Sequence, residues 1–176
     1  MAYQNKPKGC EGCPAYNYGV GFVPPSTPEN PKLVLIGQGP GQQEAYNSKP
    51  FFYLAPIGER LNKWLYHAGI SRTKIAIGNL VQCWLPATHR NGVPLGNREP
   101  TTQEMVWCWN AHVGPWIHRL MGGNGDQRVV VVPVGVPASR FLLKIPPKKA
   151  ADKFLGTLNW VELPELRENK LKETTL

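Results

Sequence analysis

The apolar residues of this 176-residue chain fall into short runs separated by stretches rich in glycine and proline, and the runs differ in period. Lys32-Leu-Val-Leu-Ile36 is continuous and stops at Gly37, the pattern of a strand buried on both faces of a parallel sheet. Lys74-Ile-Ala-Ile77, leading into Asn79-Leu-Val81, reads the same way, and Arg128 to Val134 is a third strand made almost entirely of valine. Between the first two, Ile57 to Ala68 sets Leu61, Trp64, Leu65 and Ala68 at helical spacing, with Gly69 suited to the C-terminal cap. Thr101 to Leu120 predicts a second helix, with Thr101 or Thr102 near its N-cap and Glu104 in its first turn. Ala138 to Leu143 starts another. Cys10 to Asn30 and Gln38 to Pro50 read as loops, the second with a short turn of helix, and the charged stretch from Pro164 to Leu176 as a partly frayed helix.

Strands joined through helices run parallel with right-handed crossovers. The pattern therefore predicts an α/β protein, a three-layer α/β/α sandwich around a short central parallel sheet whose C-terminal edge is cut short. The length suits one domain with a proper core, spanning 1–176, and is too short for two. In open parallel sheets, ligands bind at the carboxyl ends of the strands. That rule points to Gln38–Gly41, to Asn79–Cys83 and to the turn after Val134.

Charge narrows the choice of partner. Twenty Lys and Arg stand against twelve Asp and Glu, a formal +8, which favours nucleic acid over a membrane surface. Arg90 and Arg98, on the long loop after the second strand, are candidates for phosphate contact, with two solvated arginines as the plain alternative. The start, Met1 to Lys8, has no apolar leader and no run of roughly eighteen apolar residues occurs, so a cytoplasmic protein is expected. Reduced thiols are the default there, which turns attention to the four cysteines as metal ligands. Cys10 and Cys13 form a Cys-x-x-Cys pair in a loop, Cys83 follows a strand, and Cys108 lies on a helix. Two intervening residues let both sulfurs of such a pair face one centre. Loop thiols plus two core cysteines is the alternative, and Cys108 between Trp107 and Trp109 suits a core. An exposed thiol pair without a metal is an oxidation liability, which favours a shared centre. The spacing fits zinc and iron–sulfur alike.

Taken in order, Cys10-x-x-Cys13, Gly37-Gln-Gly-Pro-Gly-Gln-Gln-Glu44, Lys49-Pro-Phe51, Asn79-Leu-Val-Gln-Cys83, Asn97-Arg-Glu-Pro-Thr-Thr-Gln-Glu104 and Cys108 resemble the iron–sulfur uracil-DNA glycosylases, the fourth family of that superfamily. The resemblance runs from Cys10 to about Leu143. It implies that Cys10, Cys13, Cys83 and Cys108 hold a 4Fe-4S cluster that pins the loop 1–31 to the sheet. It implies backbone contacts to a uracil carbonyl around Gln38 and Gly39, Phe51 stacked on a flipped base, and Asn79 reading the pyrimidine edge. Glu44 matches a family carboxylate that orients the hydrolytic water. The reaction implied is hydrolysis of the N-glycosidic bond of deoxyuridine in single- or double-stranded DNA, by a monomer. Without the pattern, Phe51 reads as core, Asn79 as a turn residue and Glu44 as a solvated charge.

The departures from the family pattern are specific. Gln38 and Gln42 stand where Glu is usual, and Tyr53 where a Gly is usual. Twenty-four residues separate Cys83 from Cys108, with an extra loop over 87–96 whose Asn91-Gly92 step predicts a hairpin tip. The family closes with a further strand and a His-Pro-Ser/Ala loop, whose His stabilises the leaving uracil anion. No His follows His118. Weakened excision is expected on that ground, and a non-catalytic iron–sulfur DNA-binding relative is the alternative.

Overall fold

The structure is a computed structural model and describes residues 6–88, 94–122 and 128–144. Its centre is a three-stranded parallel sheet in the order β2-β1-β5, made of β1 (Leu33–Gly37), β2 (Ala76–Asn79) and β5 (Val130–Pro133). Each strand falls within the run expected of it. Alternation along β1 then builds the layers. Val34 and Ile36 face one side, where Trp109, Val113, Trp116, Ile117, Ala138 and Leu142 cover them. Leu35 faces the other, with Leu61, Leu65 and Ile77. The helix α2 (Pro56–His67) supplies the second cover, and α3 (Thr102–Cys108), α4 (Gly114–Leu120) and α5 (Val136–Leu142) lie with the first. This is the expected α/β/α sandwich.

One element differs from expectation. The helix read as continuous from Thr101 to Leu120 is interrupted by a π turn over Trp109–Val113, in which the Gly114 N–H reaches back five residues to the Trp109 carbonyl. The short helical turn expected between Gln38 and Pro50 is present as α1 (Gln42–Asn47). The inserted segment forms an antiparallel pair, β3 (Pro86–Thr88) with β4 (Pro94–Asn97), as a hairpin requires. The Asn91-Gly92 tip, Arg90 and His89 lie outside the described residues, as do 145–176 with the charged C-terminal stretch.

The opening loop is stitched to the sheet rather than free. Ser26 and Ile77 exchange backbone hydrogen bonds at 2.8 and 2.9 Å, Val20 and Trp84 at 2.8 and 3.0 Å, and the Val23 N–H donates to the Gln82 carbonyl at 2.6 Å. A second tie runs through Glu104. Its carboxylate accepts from the Thr101 N–H at 2.7 Å, closing a capping box at the start of α3. It also accepts from both Arg98 guanidinium nitrogens, at 2.6 and 2.9 Å, and from the Tyr18 hydroxyl. Arg98 is therefore committed to an internal fork and is not the free phosphate contact considered above. The reason is geometric: it lies six residues before a buried carboxylate that would otherwise be unpaired.

Burial alone would raise the pKa of Glu104, but Arg98, Tyr18 and the Thr101 N–H together hold it down at about 2. A depressed folded-state pKa contributes stability above the unfolded carboxylate value and loses it as pH falls toward the folded one. Stability should thus drop as pH falls from the ordinary carboxylate range toward 2, and Glu104→Gln should flatten that dependence. Glu104→Ala should cost on the order of 3 kcal/mol in urea unfolding at neutral pH, because the forked Arg98 loses its partner.

Candidate functional site

The carboxyl ends of β1 and β2 meet at one glycine. Gly37 closes β1 and pairs in register with Asn79, the last residue of β2. A Cβ on Gly37 would lie 2.3 Å from Asn79 Oδ1 and 2.8 Å from two ring atoms of Phe51. Two residues far apart in sequence are thus brought to one point, and only a glycine leaves room for both. Asn79 is 2% exposed, and its Nδ2 has no hydrogen-bond partner among the described residues. A buried amide donor in that state costs about 1–3 kcal/mol, so it marks a position shaped for something other than packing.

Phe51 combines two roles. It is buried in the cluster with Leu35, Leu61 and Ile77, so the plain reading of it as core holds, and its ring tip borders Gly37. Its backbone is left-handed, φ 48°, a conformation that costs a non-glycine residue about 1–3 kcal/mol. Two charged side chains clamp it there. The Phe51 N–H donates to the Glu44 carboxylate, and its carbonyl accepts from Arg72 at 2.5 Å. Arg72 also donates to the Pro50 carbonyl at 3.2 Å and to Asn62 Oδ1 at 2.9 Å. Nothing in the sequence marks Arg72, which reads as one basic residue in a polar turn.

Glu44 is 4% exposed and its oxygens face backbone donors. Besides Phe51 it accepts from the Gly41 N–H at 2.6 Å, and the Phe52 N–H also points at it. Burial pushes its pKa up, while those three amides and Arg72 pull against the rise. Gln38 and Gly39 are half-buried on the turn between β1 and α1. The Gln38 carbonyl accepts from the Val81 N–H at 3.2 Å, whereas among the described residues neither the Gln38 nor the Gly39 N–H donates to backbone. Tyr53 is exposed and tilts against Phe52, ring centres 4.9 Å apart.

Cys10, Cys13, Cys83 and Cys108 line a single cavity, which Gln82, Trp107 and His112 also border. Burial drives the Cys10 thiol up to about 11 and Cys83 to about 12, raises Cys13, and takes Cys108 well above its usual value. Each also feels other members of the set as like charges, except that for Cys13 the like charge is Glu104. The Ala15 N–H is aimed at Cys13 sulfur and the Gln82 N–H at Cys108 sulfur. Room for Cys83 depends on Gly19, where a Cβ would stand 2.6 Å from its sulfur. His112 lies 3.2 Å from Cys10 Sγ through Nε2, and among the described residues neither polar atom of the buried Gln82 amide has a hydrogen-bond partner. Among the described residues, no three His, Cys, Asp or Glu groups stand close enough to share one metal ion. No described helix is long and apolar enough to cross a membrane.

Comparison with known proteins identifies relatives of the chain. The chain is 24% identical over 143 residues to the type-4 uracil-DNA glycosylase of Pyrobaculum aerophilum, covering 81% of this chain and 64% of that protein. It is 28% identical over 136 residues to the type-4 uracil-DNA glycosylase of Archaeoglobus fulgidus, covering 77% and 59%. Over 101 residues it is 31% identical to the one from Thermotoga maritima, covering 57% and 47%. The chain thus spans roughly half to two thirds of the length of these relatives. The sequence profile of the uracil DNA glycosylase superfamily matches residues 24–171, continuing past Leu143 where the individual motifs stop. With its parallel sheet, its glycine turn after β1 and its asparagine at the end of β2, the chain belongs to the uracil DNA glycosylase superfamily.

Proposed function

We propose that the protein excises uracil from DNA by hydrolysing the N-glycosidic bond of deoxyuridine, acting as a monomer in the cytoplasm. The observation that carries this reading is the meeting of Asn79 and Phe51 at Gly37, with Asn79 Nδ2 buried and unpartnered. A uracil edge offers what that amide lacks, since O4 accepts from Nδ2 while N3–H donates to Oδ1. The Phe51 ring supplies the stacking face for a base turned out of the helix.

In the reaction a water oxygen bonds to the sugar C1′ as the C1′–N1 bond breaks. The bonding pair leaves with uracil as an anion, and the water's proton is released. Charge develops on O2, where the free N–H groups of Gln38 and Gly39 are the donors this chain offers. Glu44 has about four lone-pair directions and three are taken by backbone amides. One remains to orient the attacking water, while the others cap α1 and hold the Phe51–Phe52 backbone. The +8 surplus draws the phosphate backbone.

The residues also fit a 4Fe-4S cluster held by Cys10, Cys13, Cys83 and Cys108. A single zinc holds its thiolates at Zn–S distances of about 2.3 Å. A cluster spreads its ligands wider and accepts hydrogen bonds at sulfur, which the Ala15 and Gln82 amides supply. When bound, it would cross-link the opening loop to the end of β2 and contribute no step of the hydrolysis.

Excision from uracil-containing single- and double-stranded oligonucleotides tests the central reading, with thymine untouched. Asn79→Ala should lower the single-turnover rate by roughly a hundredfold. Gly37→Ala, whose methyl would collide with both Asn79 and Phe51, should lower it at least as far. Uracil-selective binding without any cleavage would replace the enzyme with a non-catalytic relative, and cleavage indifferent to Asn79 would refute the pocket.

Anaerobically purified protein should be brown, with about four irons per chain. Cys83→Ala should bleach it and loosen the fold together. Zinc in place of iron would remove the cluster from this account. DNA affinity should fall steeply between 50 and 200 mM salt, by about a thousandfold if six phosphates are neutralised; affinity that is flat over that range would exclude the electrostatic mode.

A further inference from the structure

The helix that delivers Cys108 to the cavity does not continue as an α-helix. The next turn is the π turn Trp109–Val113, a wider coil that recurs where a helix must re-aim a side chain for function. The side chain re-aimed here is His112, which reaches from the helix to the Cys-x-x-Cys loop 102 residues earlier and sets Nε2 3.2 Å from Cys10 Sγ. Its surroundings hold the ring on several sides. Phe22 meets it edge-on with ring centres 5.1 Å apart. Gly9 packs its backbone directly on the imidazole, since a Cβ there would come 3.1 Å from Cε1. From the same helix Trp107 Nε1 donates to the Gly9 carbonyl at 3.1 Å, fixing the loop against the ring.

We infer that His112 donates a hydrogen bond through Nε2 to the Cys10 sulfur when that sulfur is a cluster ligand, and thereby sets the electron affinity of the cluster. The inference rests on the cluster reading given above. A free Cys10 thiol can donate to the imidazole or accept from it. A sulfur bonded to iron carries no proton and can only accept, so the ring must present Nε2–H. Hydrogen bonds to cluster sulfurs favour the form carrying more negative charge, which is the reduced one. Cys13 and Cys108 receive theirs from the backbone, of Ala15 and Gln82, which exchange of a side chain other than for proline leaves in place. On Cys10 the donor is a side chain, and it can be exchanged. His112 is thus a positioning and tuning residue, not a catalytic one.

The test compares the whole wild-type chain with His112→Phe, which keeps a ring and loses the donor, and His112→Gln, whose Nε2 has similar reach. Iron content and visible absorption are measured first, then midpoint potential by voltammetry and the Fe–S(Cys) stretching bands by resonance Raman. The Raman bands respond to hydrogen bonding at sulfur whether or not a redox couple lies in range. In His112→Phe the reduction equilibrium should weaken about tenfold, about 59 mV for a one-electron couple, with the stretching bands displaced. His112→Gln should restore most of both. Loss of the cluster in His112→Phe but not in His112→Gln would also support the donor role. Equal potentials and unshifted bands in all three iron-loaded proteins would overturn it, as would loss of the cluster in both variants, which would mark the ring as packing alone. A colourless wild-type protein without iron would instead defeat the cluster reading, and this inference with it.

Discussion

The pairing of β1 with β2 sets Gly37 opposite Asn79, and the ladder does not end with the strands. The Leu80 N–H donates to the Gly37 carbonyl at 2.8 Å and the Val81 N–H to the Gln38 carbonyl at 3.2 Å, so the two loops leave the sheet side by side. Side chains alternate along a strand, and a slip of one residue would set Gly78 or Leu80 where Asn79 stands. The same extension carries Gln82 and Cys83 onward to the wall of the cysteine cavity. Pocket and cavity are therefore not independent constructions. Asn79 and Cys83 are four residues apart on one segment, and whatever holds Cys83 also holds the end of β2.

One local device is used twice around that frame. At the start of α1 and again at the start of α3, a glutamate three residues into the helix folds back on the N-cap backbone. In an ordinary capping box the second oxygen would face water. Here both glutamates are buried and turn their remaining capacity on a distant segment, Glu44 on the Phe51 peptide and Glu104 on Arg98 and Tyr18. Helix initiation and loop placement thus become one interaction, because each carboxylate must find several donors or remain a costly buried charge. That is how a left-handed phenylalanine persists without glycine, with Arg72 fixing its carbonyl from the other side.

The strands, α2 and the layer order were legible because hydrophobic periodicity alone dictates them. Val34 and Ile36 against Leu35 is a pattern that admits one sheet buried on both faces. The π turn was not legible, since Trp109 to Val113 has no composition that separates it from α-helix. The spacing of Gly37, Phe51 and Asn79 could be matched to a family, but their meeting point could not, because it depends on β1–β2 register. Arg98 was misplaced for a related reason: an arginine on a long loop looks solvated until the buried carboxylate it serves is located. His112 left a fainter signal. It lies four residues after Cys108, about one helical turn on, a spacing that can set both side chains toward one neighbour.

The cysteine cavity shows why its occupant and the opening loop belong to one problem. As free thiols, Cys10 and Cys83 are driven to about 11 and 12, and burial also raises Cys13 and Cys108, so near neutral pH the four sulfurs stay protonated in a wall that solvates them poorly. Two backbone N–H groups point at sulfur, and the buried Gln82 side-chain amide has no hydrogen-bond partner among the described residues. Donors converging on protonated thiols are poorly matched, whereas the same donors around metal-bound thiolates would be well matched. Under the proposed cluster, the protons would leave as the metal entered, which would couple binding to the docking of the ligands' own backbone. Segment 6–31 reaches the sheet otherwise through a few ladder bonds at Val20, Val23 and Ser26. Those bonds fix where the loop lies along β2, and the cysteines bear on how firmly the end of β2 is held, four residues from the buried Asn79 amide.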